Sequence, residues 1–340
     1  MQHRRPPSPS HSGTRHRASS PTKVTEKQKP NINSLNYRDD VLYQNGIIIR
    51  GNSELIPQTI LDEAQRTLQE PTSSSITYGD ALQLCKSIET FQTSSEASLG
   101  QFYGLKIFPL LEDRVAHTGL KQNQQLPLDN YVIPYRAPLV GARTEYHAAV
   151  PCPIPDLLYG FEHDCFDSEE RLTQECNLDG VDLTRISHPS RDLYWPFFVV
   201  EFKSQVSRGN VWRATNQCAG GGSACVKALE ALLEISSPWL PGREENHDGR
   251  VDGTSSRSLV YSVAVDDQLA VLNVHWFDVL KQEFHLQRIA TYILTDPTDV
   301  QQFCTRVKGI LEWGLATRLP QIKEALRTIY EERILSSHVR

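Results

Sequence analysis

An acid and a base stand two residues apart at the end of a strongly apolar run, Trp195-Pro196-Phe197-Phe198-Val199-Val200-Glu201-Phe202-Lys203-Ser204. Phe197 to Val200 lead without a break into Glu201, the pattern of a buried strand with charge at its end. Strand side chains alternate faces, so Glu201 and Lys203 share one face and Phe202 takes the other. A carboxylate and an ammonium then lie roughly 6–7 Å apart along one face of one strand. Such a pair is either reactive or a buried ion pair. Upstream, three prolines alternate in Pro151-Cys152-Pro153-Ile154-Pro155 before a second acid, Asp156, and exclude a helix there. Leu157 to Phe161 continues as a strand.

The elements that must position these residues follow from apolar periodicity. Gly46-Ile47-Ile48-Ile49, inside Val41 to Arg50, predicts a strand or docked extended segment. Thr59 to Gln69 after Pro57, Tyr78 to Ser95 and Ala97 to Leu111 carry helical spacing and read as packing elements. Leu126 to Val150 predicts an irregular, partly extended approach to the sheet. Residues 162 to 195 hold nine acids against Arg171, Arg185 and Arg191, a solvated excursion with a short helix near Ser168 to Cys176, Ser168 being its candidate cap. Their spacing lacks the D-x-D-x-D-G of a calcium loop. Asn210 to Ile235 is helical but crosses Gly220-Gly221-Gly222, each weakening a helix by about 1 kcal/mol, so either something approaches closely or the helix breaks. No Gly-Lys-Ser/Thr follows these glycines, and Cys225 stands where a G-x-S-x-G elbow needs glycine, which excludes both phosphate loop and nucleophile elbow. Beyond a polar loop at 241–256, Leu259 to Val265 and Leu269 to Trp276 form a hairpin about Asp266-Asp267-Gln268. Phe284 to Leu294 is a further strand, and Thr298 to Thr317 and Pro320 to Ile334 are closing helices.

With 340 residues, 39% apolar and 22% charged, the chain has ample material for a core. No run approaches 18 apolar residues and no apolar signal segment opens the chain, which predicts an intracellular protein and no membrane partner. Seven scattered cysteines without CxxC spacing predict free, structural thiols, not a disulfide framework or zinc site. Net charge is −6, but residues 1–30 carry +6, leaving −12 on the remainder. An acidic body argues against avid, sequence-independent duplex binding, because phosphate neutralisation supplies most of that affinity. Residues 1–36, poor in large apolar side chains, read as a disordered tail whose basic residues would serve as a nuclear address or a phosphate-binding arm, with Ser8-Pro9 and Ser20-Pro21 open to proline-directed kinases.

A strand bearing Pro155-Asp156, a second ending in Glu201-Phe202-Lys203 and a helix after it resemble the PD-(D/E)XK nuclease superfamily. The textures Pro155–Phe161, Pro196–Ser204 and Ala214–Ala224 look like those of fungal PD-(D/E)XK-nuclease-like proteins. The chain holds one Pro-Asp dipeptide and one Asp/Glu-x-Lys triplet, in the required order. The resemblance spans roughly 80 to 330 and implies an α/β fold with a mixed central sheet flanked by helices, restriction-endonuclease-like. N-terminal helices at 37–125 would pack on a core at 126–335. It implies Mg2+ (or Mn2+), which takes oxygen ligands from one or two carboxylates plus phosphate and water, and here Asp156, Glu201 and the Phe202 carbonyl would supply them. Lys203 would orient or deprotonate the water. Gln217, with Asn216 beside it, is the helix position that would complete the site. An upstream helical acid is common in the family, and Glu89, Glu96 and Glu112 are the candidates here. The expected activity is hydrolysis of DNA or RNA phosphodiesters. The alternative is a catalytically silent scaffold that binds nucleic acid or protein, in which Glu201 and Lys203 form a structural ion pair, Asp156 bonds backbone amides, and Gln217 is an ordinary helix-face amide.

Overall fold

The computed structural model describes residues 31–68, 76–91, 94–108, 119–137, 148–206, 209–236 and 256–335. Residues 1–30 of the basic tail, Glu112, and 241–255 of the polar loop lie outside them.

The buried run of Phe197 to Val200 becomes the middle of a nine-residue strand, β6 (Tyr194–Phe202), whose residues Trp195 to Val200 other than Pro196 are wholly enclosed. Each such side chain contributes about 1.5–3 kcal/mol on burial. A strand enclosed on both faces must sit inside a covered sheet. Among the described residues, seven strands form it in the order β1 (Ile47–Ile49), β9 (Glu283–Ile293), β8 (Leu269–Asp278), β7 (Val260–Val265), β6, β3 (Leu157–Phe161), β2 (Leu120–Gln124). Pairs β1/β9 and β6/β7 are parallel and the rest antiparallel, so the sheet is mixed, as expected. A two-stranded ribbon, β4 (Asn177–Leu178) and β5 (Val181–Asp182), stands apart from it.

Among the described residues, eight α-helices accompany the sheet: α1 (Gln58–Thr67), α2 (Tyr78–Phe91), α3 (Glu96–Lys106), α4 (Ser168–Gln174), α5 (Leu183–Ser187), α6 (Val211–Ser236), α7 (Pro297–Trp313) and α8 (Leu319–Ile329). The predicted alternation of faces on β6 holds. Phe202 stacks on Tyr103 of α3 (5.8 Å between centroids, planes 10° apart), while Val199 looks to Gly221 of α6. Phe108, just past α3, bridges Phe198 and Phe303 of α7.

Helix α6 runs unbroken through its three glycines, and close approach is the reason. A Cβ on Gly222 would stand 2.5 Å from His275 Nδ1, and one on Gly221 3.3 Å from Val199. The buried His275 ring bonds Ser262 at 2.8 Å, and burial lowers its pKa to about 3, so it is neutral.

Several expectations are corrected. Strand β2 was not foreseen, because an edge strand facing water on one side reads Leu-Lys-Gln-Asn-Gln and has no apolar run. Residues 37–125 are not only helices, since they supply both edge strands, β1 and β2. Asn31 to Asn36 are turns held against α6, where Asn216 Nδ2 donates to Ile32 O (3.4 Å), so the tail's boundary moves before Asn31. Asp167, not Ser168, caps α4, in a reciprocal capping box with Glu170.

The acidic excursion 162–195 leaves at Phe161 and returns at Tyr194, which face each other in the ladder. Asp156 and Glu201 lie at the opposite end of that strand pair. The excursion therefore folds aside. Fully buried Glu170 meets Lys323 (3.2 Å) and Arg327 (2.9 Å), and Trp195 Nε1 donates to Gln174 Oε1 (2.9 Å). No helix among the described residues is long and apolar enough to cross a membrane.

Candidate functional site

Three strand ends meet where β3 begins and β6 finishes. The prolines before Asp156 keep its backbone extended, and the β3/β6 register pairs Leu157 with Val200, which brings Asp156 beside Glu201 and Phe202. Asp156 Oδ2 accepts a hydrogen bond from Phe202 N–H at 2.7 Å. After burial, the Asp156 charge is the strongest influence raising the Glu201 pKa, as expected of neighbours at one strand end. Two residues that are 45 apart in the chain thus share one locus.

Lys203 completes the group. Its Nζ donates to Glu96 Oε1 at 2.8 Å and to the Phe202 carbonyl at 2.6 Å. Of the two upstream acids among the described residues, Glu96 reaches the site, while Glu89 is exposed on α2. The reason lies at the start of α3. Ser95 caps that helix by accepting from Ser98 N–H, Ser204 Oγ donates to Ser94 O (2.7 Å), and Gly100 lets α3 settle on the Phe202 ring. This docking places Glu96, the first helical residue, over Lys203. A cap before an acid was legible in the sequence, but docking against Phe202 was not.

Gln217 is on α6 as expected, but no hydrogen bond joins it to Asp156, Glu201 or Lys203; its Oε1 is buried without a partner. Neighbouring Asn216 turns away, accepting from Arg38 Nε (2.7 Å). The α6 side chain in the electrostatic reach of Glu201 is Cys218, whose thiol burial pushes well up. Gln125, just past β2 and across from Asp156 in the register, is a polar neighbour that the sequence did not single out, the weakest of the groups that favour the charged Asp156 carboxylate.

Burial sets the electrostatics. It pushes the Asp156 carboxyl above the ordinary carboxylate range, against the Phe202 N–H and the Lys203 ammonium, which favour its charged form. Burial first, and the Asp156 charge second, push Glu201 well above its ordinary value, with Lys203 opposing. Two neighbouring carboxyl groups out of water favour keeping a proton on the pair. Glu201 Oε2 has no hydrogen-bond partner although Glu201 is 1% exposed, an unsatisfied acceptor facing a second carboxylate.

That orphan acceptor, the adjoining carboxylate and the Phe202 carbonyl are all oxygen donors, the set a hard divalent ion takes. Among the described residues no three His, Cys, Asp or Glu side chains form a group that could hold a metal. A ligand set of two carboxylates and one carbonyl suits Mg2+, which keeps waters and substrate oxygens in its remaining positions.

Residues 83–326 match the family model described as domain of unknown function (DUF7924). The chain belongs to the DUF7924 family. No curated protein matches it. The DUF7924 region contains Glu96, Gln125, Asp156, Glu201, Lys203 and Gln217 together with β2, β3 and β6 to β9, so the whole candidate site and all of the sheet except β1 lie within it.

Proposed function

We propose that this chain is a Mg2+-dependent (or Mn2+-dependent) nuclease of the PD-(D/E)XK kind, hydrolysing phosphodiester bonds in DNA or RNA. The observation that carries the reading is the β3/β6 register, which sets Asp156 beside Glu201 with Asp156 Oδ2 on Phe202 N–H (2.7 Å) and Lys203 at the same strand end. In this reading Asp156, Glu201 and Phe202 O hold the ion. When bound, the ion neutralises charge on the phosphate and acidifies a water.

The chain's own groups do the rest. Lys203, 12% exposed, lies at the solvent edge of the site, where its ammonium orients the water and faces charge developing on phosphate oxygens. Glu96, more open at 36%, holds that ammonium from the solvent side and sets its direction. Phe202 N–H keeps the Asp156 carboxylate turned toward Glu201. Phe202 itself anchors the strand end by stacking on Tyr103.

A second reading is a catalytically silent scaffold that binds nucleic acid or protein. It is favoured by Lys203 having both Glu96 and Phe202 O as partners, as a structural ion pair does, and by the −12 charge outside the tail. Incubation with single- and double-stranded DNA and RNA in Mg2+ or Mn2+ separates the two. Cleavage abolished by Lys203→Ala and by Asp156→Ala supports the nuclease. Binding without cleavage supports the scaffold, and cleavage surviving both substitutions sinks the site. The intracellular reading extends to the nucleus through the basic residues of 1–30; a fluorescent reporter carrying that segment but spread evenly through the cell would end it.

A further inference from the structure

Helix α6 begins against the strand end that carries Lys203. Gly209 N–H donates to Ser204 O (2.9 Å), and a Cβ on Gly209 would stand 2.8 Å from Lys203 Cβ. Trp212 follows three residues later, so its backbone lies within roughly 11 Å of Gly209. Over this first turn Arg38 is held in one orientation. Its Cζ stands 4.8 Å from the centroid of the Trp212 ring, and its Nε donates to Asn216 Oδ1 at 2.7 Å, two partners one turn apart on α6. Tyr37, Val41 and Leu42 pack in one apolar cluster with Ala214, Cys218 and Ala219 of α6, which fixes the segment that carries Arg38.

Arg38 is part-buried, yet among the described residues no carboxylate pairs with it and its two Nη groups have no hydrogen-bond partner. Asp39, next in the chain, is exposed and forms no ion pair with it. Partial burial of a guanidinium without an acid is costly, and this body has acids in excess, −12 outside the tail. Stapling the segment to α6 needs no charge, since a neutral amide would also donate to Asn216. A fixed, planar guanidinium with open donors fits a phosphate. Residues 1–30, with their +6, join the body at the same place, where Asn216 Nδ2 donates to Ile32 O (3.4 Å).

We propose that Arg38, stacked on Trp212, is a phosphate-binding residue for a nucleic-acid strand, holding it about three nucleotides or fewer from the Lys203 site. The inference rests on the nucleic-acid reading above and is independent of the metal.

The test uses the full chain in EDTA, which stops ion-dependent cleavage. Anisotropy of a fluorescent single-stranded DNA oligonucleotide gives Kd across a salt series for the natural protein, Arg38→Gln and Arg38→Lys, with Tm recorded alongside. Arg38→Gln keeps a donor for Asn216 and removes the charge. We expect an unchanged Tm, a Kd about tenfold weaker, and a salt slope smaller by about 0.7, the value of one phosphate contact on a single strand. Arg38→Lys keeps the charge and the slope but loses the planar fork, and should weaken binding less. An Arg38→Gln protein with natural Kd and slope overturns the proposal. So does a weakened Kd with a lowered Tm and an unchanged slope, which would make Arg38 a staple only. In the natural protein, ultraviolet crosslinking of a bromouracil-bearing oligonucleotide should mark the peptide holding Trp212; adducts confined to other peptides overturn the proposal whatever the variants do. If the natural protein binds no strand, the nucleic-acid reading itself fails and takes this inference with it; binding that Arg38→Gln leaves untouched removes this inference alone.

Discussion

Glu201 is the residue on which the site turns, and its protonation gives a test that needs no substrate. Burial raises its pKa well above the carboxylate range, so its folded form prefers the proton. Its contribution to stability is therefore full below the ordinary carboxylate pKa and is lost as pH rises toward the raised value. Glu201→Gln, which keeps the shape without the charge, should melt higher than the natural protein in EDTA at pH 8. We expect a gain of about 1–3 kcal/mol that shrinks as pH falls toward 4. A gain independent of pH, or a loss, would contradict the burial argument. Added Mg2+ should reverse the order, stabilising the natural protein and leaving Glu201→Gln and Asp156→Asn where they were. Glu201 and Lys203 stood out in the sequence because charge is costly on an apolar strand. Glu96 stood among three equals because a helix-start acid looks alike wherever its helix docks.

Helix α6 shows at the level of elements how a local cost is recovered by packing. Three consecutive glycines weaken a helix, yet α6 persists because the His275 ring and Val199 fill the space their side chains would take. Gly222→Ala should destabilise by about 1–3 kcal/mol through overpacking despite better helix propensity. In a His275→Ala background the same change should cost little or add stability, and equal costs in both backgrounds would refute the contact. The acidic excursion makes a second case. Its charges read as solvated, but Glu170 is wholly buried between α4 and α8 against Lys323 and Arg327. Glu170→Ala should cost about 1–3 kcal/mol, since it removes a fully buried carboxylate from its capping box and from two cations, Lys323 and Arg327, that are themselves partly exposed. A loss under about 1 kcal/mol in urea unfolding would show the pair to be a surface one.

Charge separation governs the whole molecule. If nucleic acid is the substrate, the −12 body repels it and the +6 of residues 1–30 attracts it. Removing residues 1–30 should weaken binding and flatten its dependence on salt, while leaving Tm unchanged. Equal salt slopes for the two forms would assign the attraction to the body. The sequence by itself determined the α/β class, the buried strand with its terminal acid and base, the extended run into Asp156, and the helix after them. These are set by nearest-neighbour chemistry: apolar runs, proline restriction and periodicity act within a few residues. The tertiary structure alone decided that β2 closes the sheet edge, that the excursion leaves from the far end of the strand pair, and which acid meets Lys203. It also decided that Gln217, on the expected helix, makes no hydrogen bond to the carboxylates. Each of these depends on register and docking between segments tens of residues apart, where the energy lies in shape and burial that no single stretch carries.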